Sequence, residues 1–229
     1  MKNLIFSVVG TLLTLLAVGQ PGRPWGITAV DAISGIPRGE AYGNSVAPLG
    51  DLNGDGNPDF AVGDPLNNTG AQNAGRVGIV FTQGTSPMPP TPIWIDDAHS
   101  TMAAHTLSGG DFFGNSVATA DLQGDGLPDL IVGAPGDDDT FINSGAIYIF
   151  PIELVGGTPT IRDAIKISQS QLGSGALFTD AYFGRSITAI GNLNSNRCAA
   201  IVQGNLTFLN IIFTGNHAHS LHNGVVDSD

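Results

Sequence analysis

Only one cysteine, Cys198, is present, so no disulfide can form within the chain and its stability must come from burial and bound metal. Glutamate is nearly absent: of the 20 acidic residues, 18 are Asp and only Glu40 and Glu153 are Glu. Asp serves turns and cations while Glu favours helices, so this bias argues against a helical protein. Positive charge is scarce as well. Eight Lys and Arg in a chain of net charge −12 cannot neutralise a phosphate backbone, which excludes nucleic acid as a partner. Past the N-terminus no hydrophobic run is long enough to span a bilayer. There is no Gly-x-Ser-x-Gly elbow, no His-Glu-x-x-His helix and no Arg-Gly-Asp tripeptide. What the chain has instead is 32 Gly, 14 Pro and 41% hydrophobic residues in 229, the profile of a turn-rich all-β domain with a core.

The N-terminus has the form of a secretory signal. Lys2 precedes an apolar run over 4–18, broken only by Ser7, Gly10, Thr11 and Thr14, and Ala17-Val18-Gly19 offers small residues for cleavage before Gln20. A membrane anchor is the weaker reading, because the run is short and Pro21 and Pro24 follow it. We therefore expect a signal peptide at 1–19, a lead-in at 20–38, and a mature chain that is secreted or displayed at the cell surface. Asn67-Asn68-Thr69 and Asn205-Leu206-Thr207 are glycosylation sequons, relevant only in a eukaryotic source.

Two stretches repeat one pattern at a spacing of seventy residues. Tyr42-Gly43-Asn44-Ser45-Val46-Ala47 leads to an acidic loop at 51–59 and then to Val62-Gly63-Asp64-Pro65. Phe113-Gly114-Asn115-Ser116-Val117-Ala118 leads to the loop at 121–129 and then to Val132-Gly133-Ala134-Pro135. A self-match at fixed period marks a repeat architecture whose units bury their apolar faces on one another. Each unit reads as strand, loop, strand, Gly/Asn-rich connection and a third strand (75–81 and 145–150), with Asn73 and Asn143 at matching places. The stretches 92–95 and 164–167 supply a fourth, outer strand. The units span 39–104 and 105–175. A third begins at Phe183-Gly184-Arg185-Ser186, spans 176–204 and degenerates: Asn192, Asn196, Arg197 and Ala200 stand where the first has Asp51, Asp55, Gly56 and Asp59. The tail, 205–229, matches neither earlier unit.

Asp51, Asn53, Asp55 and Asp59 fall at positions 1, 3, 5 and 9 of their loop, with Gly56 at position 6 taking a backbone angle other residues resist. The Asn57 carbonyl adds an oxygen. The second loop offers Asp121, Gln123, Asp125, Asp129 and the Leu127 carbonyl. An all-oxygen set without His or Cys selects Ca²⁺ over zinc or copper. Two carboxylates ~4 Å apart repel by roughly 4 kcal/mol at an effective dielectric of ~20, so three in one turn favour a divalent cation. An EF-hand is excluded, since its position 12 would be Val62 or Val132. The expectation is about two Ca²⁺, one per intact loop, with the third loop empty or very weak. Asp96, Asp97 and the run 137–139 read as solvated loop carboxylates rather than acid–base pairs, and His217, His219 and His222 as part of a solvated tail.

These residues resemble the FG-GAP repeat of integrin α-subunit β-propellers, with Phe113-Gly114 and Gly133-Ala134-Pro135 matching both signatures. The resemblance implies an all-β fold of β-propeller-type blades, each four-stranded, with calcium in the loop joining the first two strands. It also implies metal-ligand roles for the loop residues named above. Seven blades usually close such a ring, so three leave it incomplete. The chain is then a fragment, a truncated product, a unit that assembles with others, or an open array capped by its tail. Open edges favour self-association, or further blades in a longer chain. The function expected is calcium-braced cell adhesion or extracellular protein binding, with a protein or glycan ligand, no catalytic residues and no enzymatic activity. The alternatives are an accessory domain or propeller remnant of a secreted hydrolase such as a phospholipase, and a calcium-stiffened spacer.

Overall fold

The computed structural model describes residues 41–82, 92–98, 102, 105–173, 175–194, 197–204, 208–214, 217–222 and 225–226, together with 13–16 and 29–32. Of the expected signal peptide only Leu13–Leu16 (β1) is described, paired antiparallel with Ala29–Ala32 (β2); the rest lies outside the described residues.

Three antiparallel sheets follow in chain order. The first is Val46–Gly50 (β3), Asp59–Asp64 (β4), Arg76–Val80 (β5) and Ile93–Ile95 (β6), each strand hydrogen-bonded to the next. The second is Ser116–Ala120 (β7), Asp129–Ala134 (β8), Ala146–Phe150 (β9) and, after a small hairpin of Ile152–Val155 (β10) and Thr158–Ile161 (β11), Ile165–Ile167 (β12). One short helix, Gln169–Leu172 (α1), leads towards the third sheet. That sheet comprises Ser186–Asn194 (β13), Arg197–Gln203 (β14), Phe208–Thr214 (β15), His217–His222 (β16) and Val225–Val226 (β17). The tail, read from the sequence as solvated, thus supplies the third, fourth and fifth strands of the last sheet, and the three His residues lie within β16. Among the described residues the sheets do not close into a ring.

The middle sheet is packed on both faces. Strand alternation sends Leu130, Val132, Tyr148 and Phe150 into a core shared with Ala47, Leu49, Ala61 and Ile79 of the first sheet. It sends Ala118, Ile131, Ile147 and Ile149 into a second core with Ala181, Phe183, Ile187 and Val202. This two-sided burial is why the inner strands read as continuous apolar runs.

Backbone contacts join successive units. The amides of Gly110, Phe112 and Phe113 donate to the carbonyls of Gln72, Asn73 and Ala74 at 2.9, 3.1 and 3.0 Å. Seventy residues on, those of Asp180, Tyr182 and Phe183 donate to Ile142, Asn143 and Ser144 at 2.8, 2.9 and 3.0 Å. Side chains close the same junctions: Ser45 Oγ donates to Gly114 O at 2.9 Å and Ser116 Oγ to Gly184 O at 2.7 Å. Asn44 and Asn115 each donate through Nδ2 to the next unit's backbone, at Asn115 O and Arg185 O, both at 2.8 Å. The incoming turns come so close that a Cβ on Gly63 would lie 2.0 Å from Gly114 O, and one on Gly133 1.9 Å from Gly184 O.

Gly145 combines close approach with a left-handed backbone: φ is +83° and a Cβ would meet Phe183 O at 2.2 Å. Gly145→Ala should cost about 3 kcal/mol, from overpacking and left-handed strain together, read as a lower urea midpoint at unchanged slope. The control is Gly157→Ala, at φ +84° with nothing within 4 Å, which should lose only the strain, on the order of 1 kcal/mol. Equal losses would show that the junction is not tightly packed.

Candidate metal centre

Each acidic loop joins the first two strands of its sheet, as the strand–loop–strand reading required. In the first, the Asp51 carboxylate accepts the amides of Asp55 and Gly56 at 2.9 and 2.8 Å. Asn53 Oδ1 accepts the Asp55 amide at 3.0 Å, and Asp55 Oδ1 accepts the Asn57 amide at 2.8 Å. The hydrogen bonds from Asn57 hold the exposed Asp55 carboxyl below the usual carboxylate range. In the second loop Asp121 Oδ1 accepts the amides of Gly124 and Asp125 at 2.6 and 3.1 Å, its Oδ2 that of Gly126 at 2.9 Å, and Asp125 Oδ1 that of Leu127 at 2.9 Å. Gly56 and Gly126 both sit at φ +88° with open space where a Cβ would go, so glycine there serves the turn and not packing.

Position 9 differs in kind. Asp59 and Asp129 are fully buried. Asp59 Oδ2 accepts the Leu52 amide at 2.9 Å and its Oδ1 accepts that of Thr82, beyond β5, at 3.0 Å. Asp129 repeats this with Leu122 and Ile152 at 2.9 and 3.1 Å, and also takes Gln123 Nε2 at 3.2 Å. Burial pushes both carboxyls above the usual range. These two residues tie the loop to the chain just beyond the sheet's third strand, a role the loop spacing alone did not reveal. Asp51, Asn53 and Asp55 stay exposed around the turn, as do Gln123 and Asp125, while Asp121 is half-buried. Among the described residues no three Asp, Glu, His or Cys side chains converge as a ready metal cluster. The donor chemistry nonetheless fits a hard cation: each loop is all oxygen, and its exposed carboxylates bond only to the loop's own amides and the Asn53 and Asn57 side-chain amides, keeping further lone pairs. The third hairpin is built otherwise. Its strands run on to Asn194 and from Arg197, which pair where the first two units open their loops.

Two of the carboxylates read as solvated, Asp96 and Asp137, are buried instead, while Asp138 and Asp139 are exposed. Asp137 accepts Tyr148 Oη at 2.9 Å and pairs with Lys166 Nζ, from β12, at 3.0 Å. Asp139 accepts Ser168 Oγ and Ser170 Oγ at 2.5 and 2.9 Å. The basic partner comes from an outer strand 29 residues downstream of Asp137, beyond the reach of local pattern. Asp64, which replaces the Ala of the second unit, pairs with Arg76 at 3.1 Å, and Arg76 stacks 3.7 Å over Trp94. Arg76 is also the register partner of Asp64, where the second unit has Ala134 opposite Ala146. Asn67 of the first sequon is half-buried and donates to Asp64 Oδ2 at 3.3 Å; the second sequon lies outside the described residues.

With this geometry established, comparison with known proteins places it. The FG-GAP repeat family model matches residues 42–80 and 113–150. The chain carries FG-GAP repeats at these two positions. It is 28% identical to integrin alpha-4 of Xenopus laevis over 175 residues, 74% of this chain and 15% of the relative. Integrin alpha-2 of Mus musculus is 35% identical over 111 residues, 47% of this chain and 9% of the relative. Phosphatidylinositol-glycan-specific phospholipase D of Rattus norvegicus is 34% identical over 137 residues, 57% of this chain and 16% of the relative. The aligned part thus spans about a sixth or less of each of these relatives. The sheets are β-propeller blades, related to those of integrin α subunits. No helix among the described residues is long and apolar enough to cross a membrane.

Two outcomes follow. Asp129→Ala should destabilise the protein by about 2–3 kcal/mol even in EDTA, because buried amides lose their acceptor. Asp125→Ala should stay within ~0.5 kcal/mol of the natural chain in EDTA, as an exposed substitution; similar losses in the two variants would contradict the split between tie and ligand. The second outcome concerns Asp111, which is buried and accepts the Ser108 amide at 2.7 Å. Burial, reinforced by the charges of Asp137 and Asp138 and opposed by Lys166, pushes its carboxyl from 3.8 up to about 7. The folded state then holds a proton that the unfolded state releases, so this contribution is full below pH ~4 and is lost as pH rises through ~7. Asp111→Asn should flatten stability against pH across that window by on the order of 4 kcal/mol, measured by urea titrations at several pH values.

Proposed function

We propose that this chain is a calcium-braced, integrin-like binding module that works outside the cell or at its surface and is not itself a catalyst. The observation that carries the reading is the twofold occurrence of an all-oxygen, nine-position loop at the same hairpin of successive blades. Asp51, Asn53, Asp55, Asp59 and the Asn57 carbonyl would hold one Ca²⁺; Asp121, Gln123, Asp125, Asp129 and the Leu127 carbonyl would hold the other. When bound, the ion neutralises the carboxylates and fastens the loop, which adds its binding free energy to the folded state. Position 9 is buried and already anchored just beyond the third strand, so the brace reaches the blade's core. The loops between strands are free to present a surface to a protein or glycan partner, as expected of a binding scaffold. The integrin relatives support adhesion; the phospholipase D relatives support a second reading, in which these blades accompany a hydrolase domain.

Titration calorimetry of the chain should find about two Ca²⁺ in the micromolar to millimolar range. Asp55→Ala with Asp125→Ala should remove most of that binding, and a melt in millimolar Ca²⁺ should lie several degrees above one in EDTA for the natural chain only. Unchanged stoichiometry in the double variant would remove the site assignment. Ester turnover by the purified chain would favour the hydrolase reading.

A further inference from the structure

The third unit carries the structure's least expected pattern of change. Strand register fixes its equivalences: Ile187 pairs with Val202 as Val46 pairs with Val62 and Val117 with Val132. Each junction consists of a plug on the later blade and a socket on the earlier one. The plug is the turn whose amides reach back, Gly110 to Phe113 and Asp180 to Phe183, followed by the glycine carbonyls of Gly114 and Gly184. The socket is the Asn–Ser pair at the start of the first strand, the glycine after the second strand's valine, and the connection to the third strand, whose carbonyls receive the plug.

Unit three keeps its plug entire. Tyr182 and Gly184 hold φ of 50° and 87°, beside 55° and 87° at Phe112 and Gly114. Its socket keeps Ser186 but is altered in three separate places. Arg185 stands where Asn44 and Asn115 donate to the next blade. Gln203 stands where Gly63 and Gly133 leave room, and in those units a Cβ would lie 2.0 and 1.9 Å from the incoming carbonyl. The connections at 65–75 and 135–145, eleven residues each, shrink to the four of 204–207. One position of the face itself has changed as well. Thr188 occupies the place of Ala47 and Ala118, which are buried in the two cores, and Ser186, Thr188 and Ile190 are all exposed.

We propose that the third blade is a terminating blade: it docks on the second and offers no seat for the plug of another FG-GAP unit, whether from the same chain or a second copy. Terminal repeats in stacked architectures need an outer face that does not template further stacking. A direct consequence is that the Tyr42-Gly43 turn of one molecule cannot dock on the third blade of another, which blocks end-to-end growth.

The test transplants the block into a working socket. In a Gly133→Gln, Asn115→Arg variant of the full chain, hydrogen exchange should show lost protection at the amides of Asp180, Tyr182 and Phe183. The amides of Gly110, Phe112 and Phe113, at the untouched junction, should stay protected. Retained protection at all six would overturn the proposal. A second variant runs the reverse change, with Arg185→Asn, Gln203→Gly and residues 204–207 replaced by a copy of 65–75. Its sedimentation should show mass rising with concentration beyond that of the natural chain; a folded variant with the natural chain's profile would overturn the proposal independently of the first.

Discussion

The whole arrangement depends on one steric fact: the backbone of each blade comes within van der Waals contact of the backbone of the next. The Gly114 carbonyl rests where a Cβ on Gly63 would be, and the Gly184 carbonyl where one on Gly133 would be. No side chain fits between them. Once that distance is fixed, the glycine, the serine that donates to the same carbonyl and the asparagine one residue earlier are all determined. The signature residues are therefore two halves of a single contact made between units rather than features of one unit. The seventy-residue spacing is the chain length needed to return to it.

Close backbone docking also explains the burial pattern. Two sheets brought this near must exclude water from everything between them, so the inner strands of the middle blade become apolar on both faces. Polar groups caught there need partners. Asp137 finds Tyr148 and Lys166, Asp64 finds Arg76, and Asp59 and Asp129 find backbone amides. The acidic loops hang from that last pair. Their outer carboxylates stay in water while position 9 is sunk into the sheet, so one end of each loop is rigid and the other is shaped by the loop's own amides and whatever the oxygens bind. A cation held there would fasten the outer part of the loop to a residue already fixed by the core.

Much of this was legible in the sequence because the signals were local. The first-strand, loop and second-strand order, the glycine at position 6, and outer strands at 92–95 and 164–167 were all recovered within a residue or two, since each rests on neighbours in the chain. What escaped notice was non-local. The burial of Asp137 depends on Lys166 of another strand, and the second role of Asp59 and Asp129 depends on amides 23 residues away. The β10–β11 hairpin has a plain Gly156-Gly157 turn but no counterpart in the first unit, so reading by repeat passed over it. The last strands were missed for a related reason: without the eleven-residue connection, Phe208–Thr214 loses its place in the period even though it keeps its place in the sheet.

The distribution of changes in the third unit is hard to reconcile with simple erosion. Erosion towards the end of the chain would spare early positions and lose late ones. Here Gly184 is kept and its neighbour Arg185 is changed; Val202 is kept and its neighbour Gln203 is changed. Gly184, Ile187 and Val202 are kept on the side of the second blade, while Arg185, Thr188 and Gln203 are changed where a following blade would dock, Ser186 alone of the Asn–Ser pair being retained there. The altered hairpin lies at one end of the sheet and the shortened connection at the other, so no single deletion accounts for both. A division that follows the two faces of a sheet rather than its order in sequence is what contact with one neighbour, and only one, would preserve.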